Sequence, residues 1–250
     1  MKVLSAVIIA KDEEHDLPGA LESLKGLASE VIVLVDESSR DATEEIARAG
    51  GARVFRRRFE DYAGQKQAAL DKATGEWVLS IDADERATPE LKAEILGVLS
   101  GADGRAGFQV PFEVRFLGRR LRWGGLGSET HLRLFRRGRG RFTGGALHEG
   151  VEVSGTVGTL RGRIIHEPYR DLSDYLAKLE SYTTLAARKR YAQGRRFRAW
   201  HHLLPFWEFF CRAILKLGFL DGREGLLWAG LSAFHAWLRY AKLWEMERWP

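Results

Sequence analysis

Three observations predict an α/β fold with a mixed central sheet flanked by helices and a C-terminal helical extension. Short apolar runs alternate with helical repeats from residue 3 to about 100. Residues 105–167 then turn β-rich, with many Gly and Arg, and six of the eight Trp fall at or after Trp200. Strand and helix in regular alternation imply a parallel sheet with crossover helices.

The elements follow in order. Val3–Ala10, VLSAVIIA, is a continuous apolar run suited to a strand buried on both faces. Leu17, Leu21, Leu24 and Ala28 then recur at helical spacing. Residues 31–35, VIVLV, form a second buried strand, and DATEEIARAGG carries acids in its first turn and Gly at its end, as a helix does. Residues 52–55 make a weaker third strand, 63–73 an Ala-rich helix and 76–81, EWVLSI, a fourth strand. Thr88 is the N-cap of the next helix, with Pro89 at its first position.

FQVPFEVRF, HLRLFRR, VEVSGTV and GRIIHEP add antiparallel or mixed strands to the same sheet. Ser173 is expected to cap an amphipathic helix carrying Leu176, Leu179, Tyr182 and Leu185 and ending near Gly194. Two further helical segments, about 199–219 and 223–247, hold the Trp cluster. The expected division is a domain over 1–170, with halves 1–100 and 101–170, and a helical extension over 171–250.

Composition narrows the classes. A chain of 250 residues, 45% hydrophobic and 29% charged, is long enough for a real core, which excludes a disordered or fibrous chain. The net charge of +5 is local: Arg105–Arg141 holds ten Arg against two acids, and Arg188–Arg198 six basic residues and no acid. A single cysteine, Cys211, excludes an intramolecular disulfide or a multi-Cys metal site and makes a reducing, cytoplasmic setting the default. The apolar stretch after Lys2 is short and runs into KDEE, so it reads as a strand and not a signal peptide. Gly225–Leu238 falls short of the roughly 18–20 residues a bilayer span needs.

Chemistry is expected at the strand ends. Asp82-Ala83-Asp84 follows the fourth strand directly, and in an open α/β sheet ligands bind beyond the carboxyl ends of the strands. Carboxylates at i and i+2 of an extended segment suit Mg²⁺ or Mn²⁺ bridging substrate phosphates, although an acidic turn capping the next helix has the same composition. Asp36 follows VIVLV and can accept from a uracil N3–H or a ribose hydroxyl, or serve only as a turn residue in DESSRD. Glu13 and Glu14 end the first strand, so three strand ends carry acids.

VLSAVIIAKDEE, VIVLVDESSRDAT, YAGQKQAAL and GEWVLSIDADE, in that order, resemble the donor-site motifs of family 2 glycosyltransferases with the GT-A fold. The likeness is to the lipopolysaccharide core glycosyltransferases, whose pattern runs KNEE, D-x-x-S-x-D-x-T, G-x-K-N-x-A and D-A-D-E. It extends through LRLFRR, LHE and the GFLDG segment. The resemblance implies Asp36 as the uracil-recognising carboxylate, Glu13 as a nucleoside contact and Lys66 near the base or diphosphate. It places Asp82 near the ribose and Asp84 on the metal. Asp12 and Gln67 depart from the usual Asn at both positions. The Q-x-x-R-W signature of processive members is missing, since Arg119-Arg120-Leu121-Arg122-Trp123 stands there, which favours single-sugar transfer.

Inverting transfer needs a base for the acceptor hydroxyl, and the resemblance puts Glu149 of GALHEGVEV in that position; the alternative is a simple ion pair with an Arg. His166 in IIHEP can complete a metal or diphosphate site or be structural. Arg133, first of the 133–141 Arg group, is the candidate donor to the leaving diphosphate.

RKRYAQGRRFRAW leads into HLLPFWEFFCRAILKLGF, which joins a basic block to an aromatic face. That pairing suits a monotopic helix pair on an anionic membrane surface, or else a helical lid or a homo-oligomer interface. No RNA-module signature accompanies the basic residues, so nucleic acid is not an expected partner.

The reading is therefore an inverting, metal-dependent hexosyltransferase. It takes a UDP-sugar donor, glucose foremost, and a lipopolysaccharide-core or other lipid-linked acceptor at the inner membrane face. Polyprenyl-phosphate glycosyl transfer is the near alternative. A nucleotidyltransferase would carry a Gly-rich loop where AKDEEHDLPG stands, and a membrane adaptor would not need acids at three strand ends.

Overall fold

The computed structural model describes residues 3–101, 104–127, 129–145 and 148–249, the side chains of residues 145, 148 and 149 excepted. The chain forms two compact units, 1–112 with 129–166 and 113–128 with 167–250. Segment 113–128, which the sequence texture grouped with the acceptor half, thus packs with the C-terminal helices.

In the first unit, β1 (Leu4–Ala10), β2 (Glu30–Asp36), β3 (Arg53–Arg57) and β4 (Trp77–Ser80) are separated by α1 (Leu17–Leu24), α2 (Thr43–Ala49) and α3 (Tyr62–Leu70). β1 lies parallel to both β2 and β4, and β2 parallel to β3. After β4 come β5 (Glu85–Ala87), α4 (Pro89–Ser100), β6 (Gly107–Phe116) and β7 (Arg119–Arg120). Then follow β8 (Thr130–Arg136), β9 (Gly140–Gly145), β10 (His148–Val153), β11 (Val157–Thr159) and β12 (Ile164–His166). The strand order is β3-β2-β1-β4-β8-β6-β12-β5, with β11 on β6, while β9 and β10 form a separate hairpin. β8 runs antiparallel to β4 and β6, which makes the sheet mixed as expected.

The continuous apolar runs are explained by burial on both faces. Leu4, Ala6 and Ile8 of β1 pack with Leu17, Leu21, Leu24, Leu91 and Ile95, whereas Val7 packs on the other face with Ile32, Leu34, Ala69 and Leu70. At the amino ends of the strands, polar contacts centre on the half-buried Glu30. Its Oε1 accepts from the Ser5 hydroxyl (2.5 Å) and from the Thr74 N–H and hydroxyl (2.6 and 2.8 Å), and its Oε2 pairs with Arg53 (2.8 Å). Burial alone would raise the Glu30 pKa, but these donors lower it to about 2.

Thr88 caps α4 as predicted, accepting from the Leu91 N–H at 3.2 Å. The next helix, α5 (Leu172–Ala192), is capped differently from expectation. Asp171 is its N-cap and accepts from the Asp174 N–H at 2.8 Å, so Ser173 lies inside the first turn.

The second unit holds β7 against the end of β6, then α5, a 3₁₀ turn (Ala199–Leu203), α6 (Leu204–Phe210), a π turn (Cys211–Leu215), a 3₁₀ turn (Gly218–Asp221) and α7 (Gly222–Arg248). The expected 199–219 helix is therefore interrupted three times. Phe116, Leu121, Tyr175 and Leu179 form its main core with Trp228, and α7 buries Ala229, Ala236, Tyr240 and Leu243. No described helix is long and apolar enough to cross a membrane.

Candidate active site

The parallel strands β2, β1 and β4 are sheet neighbours, so their carboxyl ends and the loops after them lie side by side. Asp36, the last residue of β2, is buried, and its Oδ1 accepts from the Ser38 N–H at 2.9 Å. Glu13 lies in the loop after β1, where its N–H donates to the Thr43 hydroxyl (2.8 Å). The two loops are tied further by residues without a predicted role. Asp12 has φ of 55°, a left-handed backbone that Asp and Asn tolerate, and its Oδ1 accepts from the Arg40 N–H (2.8 Å). The Glu14 N–H donates to Asp41, and the Ala42 N–H to Glu14. Asp12 thus keeps the acceptor oxygen that an Asn would supply there.

A charged cluster forms where β4 ends. Lys66 Nζ, on α3 and only 4% exposed, lies 2.8 Å from Asp82 Oδ1. Arg133, on β8, lies 3.0 Å from Asp82 Oδ2 and 2.5 Å from Glu85 Oε1. The other Glu85 oxygen accepts from the Asp82 N–H (2.8 Å). Burial opposes ionisation of Asp82, yet Lys66 and Arg133 hold its carboxyl well below the usual range. Burial pushes the Glu85 carboxyl up to about 7, with Arg133 opposing the rise and Asp82 adding to it.

Asp84 and His166 come together beside this cluster. β12 pairs antiparallel with β5, setting His166 opposite Glu85, and His166 Nε2 lies 3.2 Å from Asp84 Oδ2. Burial works against the imidazolium, but the hydrogen bond and charge of Asp84 outweigh it, and the His166 pKa is raised. Phe112 of β6 links two of these groups: it stands 5.2 Å from the Arg133 guanidinium and edge-on to His166, and also to His131.

Two donor atoms 3.2 Å apart fit adjacent positions on an octahedral ion with ligand bonds of about 2.1 Å, and a carboxylate with an imidazole suits Mn²⁺ well. Among the described residues no group of three or more His, Cys, Asp or Glu could hold a metal.

Five of the sequence candidates, Lys66, Asp82, Asp84, Arg133 and His166, meet here, and Asp36 and Glu13 stand at the neighbouring strand ends. Glu149 lies in β10 opposite Gly144, and its side chain is outside the described residues. Of the other Arg in the 133–141 group, Arg136 pairs with Glu76 over the Trp77 ring and Arg137 donates to the Gly75 carbonyl, both away from the cluster. Glu85 and Phe112 escaped the sequence reading. Glu85 was visible as the last letter of DADE, but nothing local reveals its burial, and Phe112 reads as an ordinary strand aromatic. Gln67 has a structural use: its amide oxygen accepts from the Phe142 N–H (3.0 Å), tying α3 to β9.

Acids thus gather at the carboxyl ends of neighbouring strands in a mixed α/β sheet, the place where open α/β folds bind their ligands. The family model of glycosyl transferase family 2 matches residues 5–162, and the chain belongs to that family. It is a glycosyltransferase with the GT-A fold.

The chain is 32% identical over 250 residues to the lipopolysaccharide core biosynthesis glycosyltransferase LpsC of Rhizobium meliloti, covering 97% of this chain and 92% of that one. It is 28% identical to an uncharacterized glycosyltransferase of Rickettsia typhi, over 99% of this chain and 88% of that one. The solved structure of glucosyl-3-phosphoglycerate synthase from Mycobacterium tuberculosis in complex with Mn²⁺, UDP and phosphoglyceric acid superposes with a TM-score of 0.48 at 22% identity. That match covers 74% of this chain and 76% of the other.

Proposed function

We propose that the chain transfers one hexose, glucose foremost, from a UDP-sugar to a lipopolysaccharide-core or other lipid-linked glycan, with inversion at the anomeric carbon. The observation that carries this reading is the Asp84–His166 pair beside the Lys66–Asp82–Arg133–Glu85 cluster at the end of β4. Similarity to LpsC over nearly the whole chain supports the class of acceptor.

In this reading Asp36 accepts from the uracil ring, Glu13 contacts the nucleoside, and Asp82 faces the ribose. Asp84 and His166 would hold Mn²⁺ or Mg²⁺, which when bound would supply Lewis-acid charge to the leaving diphosphate. Lys66 and Arg133 add fixed positive charge there; Asp82 and Glu85 keep both cations in place before the donor arrives. Glu149 takes the proton of the acceptor hydroxyl as its oxygen bonds the anomeric carbon; the bond from that carbon to the diphosphate breaks and UDP departs with the electron pair.

In this reading residues 1–100 hold the donor together with Arg133 and His166, Glu149 serves the acceptor, and the helices of 171–250 bring the enzyme to an anionic membrane surface on the cytoplasmic side. Release of UDP from a panel of UDP-sugars, with and without Mn²⁺ and a lipid extract, tests the reading. Asp84→Ala and Glu149→Ala should each lower turnover by about a thousandfold or more, and only Asp84→Ala should weaken Mn²⁺-dependent UDP binding. A Glu149→Ala enzyme that keeps most of its rate would remove that residue from the role of base.

A further inference from the structure

Among the described residues most of the exposed large apolar side chains lie between Trp200 and Trp249, and the densest stretch is the interrupted helix from Leu203 to Leu220. α6 buries none of its residues. Leu203 is 67% exposed, Phe206 76% and Trp207 58%, with Phe210, Leu215 and Phe219 exposed beyond them. A seven-residue helix with its rings in water has no core of its own to justify that composition. α7 exposes Leu226, Leu227, Phe234, Trp237 and Trp244 but is anchored by the face it buries, so the two segments differ in how firmly the protein itself holds them.

The charge around this stretch is predominantly positive, although Glu247 of α7 accepts from the Phe197 N–H within the basic block. Arg195, Arg196, Arg198 and Lys216 are exposed, and between Arg188 and Gly222 the only acids are Glu208 and Asp221. Glu208 is bound to Arg212 at 2.6 Å. Asp221 is buried and accepts from the Arg122 and Trp123 N–H groups at 2.9 and 2.8 Å. A second copy docking by the same face would bring the two basic blocks together, and like charge opposes that pairing. An anionic lipid surface satisfies both the apolar rings and the cations. With no described helix able to cross a bilayer, the segment would lie in the interface plane.

We propose that the interrupted helix over 203–220 is the element that enters an anionic bilayer, its aromatic and aliphatic side chains among the acyl chains and Arg195, Arg196, Arg198 and Lys216 against the headgroup phosphates. This sharpens, and rests on, the membrane-surface part of the proposed function. It also narrows that part to the stretch where exposed apolar side chains are densest.

The test is partition of the full-length chain onto phosphatidylglycerol-containing vesicles and onto pure phosphatidylcholine vesicles, read by flotation. Phe206→Ser with Trp207→Ser should lower partition onto the anionic vesicles about tenfold or more with an unchanged circular-dichroism melt. Arg195→Gln, Arg196→Gln and Arg198→Gln together should lower it by a similar factor and erase the preference for anionic over zwitterionic lipid. The proposal is overturned if the Phe206/Trp207 variant binds as the unaltered chain does. It is equally overturned if the unaltered chain ignores vesicles and is a dimer that this variant splits into monomers. UDP release from UDP-glucose in the absence of lipid reads the donor site separately. Vesicle binding without UDP release from any donor would sink the transfer reading alone; UDP release without vesicle binding would sink this one alone.

Discussion

In the first unit Lys66 is 4% exposed and Glu85 1%, whereas in the second Phe206 is 76% exposed. Each region places in the costly environment the residue type that ordinarily avoids it. The charges are tolerable because each has a partner within 3.0 Å, so their burial builds a paired polar cluster. The exposed rings beside Phe206 meet one another, as Trp207 does Phe210. Buried charge here is completed by the protein itself, whereas the apolar surface around Phe206 is left to the proposed lipid surface.

The contrast is broken most directly at Arg133. Arg133→Met leaves Asp82 with Lys66 alone and Glu85 without its cation, and should cost about 3–5 kcal/mol in urea unfolding. A loss under about 1 kcal/mol would show the cluster to be solvated in solution.

Glu30 tests the opposite end of the same sheet. Its folded pKa, about 2, lies below its ordinary value of 4.5, so its contribution is complete above about pH 4.5 and is lost as pH falls through about 2. Glu30→Gln should therefore lower stability by about 2–3 kcal/mol at pH 7, a deficit that closes toward pH 2. Thermal melts of both chains across that range would show a parallel offset instead if Glu30 acted only through its shape.

In the second unit, Asp221→Ala strands two backbone donors and should cost about 2 kcal/mol by the same assay. Phe206→Ser should stay within about 0.5 kcal/mol in water, and a larger loss would mean the ring is packed in the free protein.

The alternating half of the fold was legible because its apolar runs match strands buried on two faces, and Thr88-Pro89 is a local signal that needs no tertiary partner. Asp84 and His166 were readable as candidates from motif and position, though 82 residues separate them and only the β5–β12 pairing brings them together. Other features depended on distant context. Ser173 and Asp171 are both good caps, and the choice between them turns on which one reaches the Asp174 N–H. Apolar spacing over 199–219 gives no sign of the π turn at Cys211–Leu215. The grouping of 113–128 with the tail is equally invisible locally, since its partners Tyr175 and Trp228 lie far along the chain.

That grouping bears on any attempt to recombine this enzyme with its relatives. The GFLDGREG stretch is fixed by close backbone approach: a Cβ on Gly225 would lie 2.0 Å from the Gly218 carbonyl oxygen, and Gly222 has φ of 72°. It presents Asp221 to residues 122 and 123, while the Gly124 N–H donates to the Lys216 carbonyl and the Gly124 carbonyl accepts from Arg212. A chimera joined at residue 194 would keep a loop shaped for helices it no longer has. The exchangeable piece is discontinuous, and a working swap has to carry 113–128 along with the helices it fits.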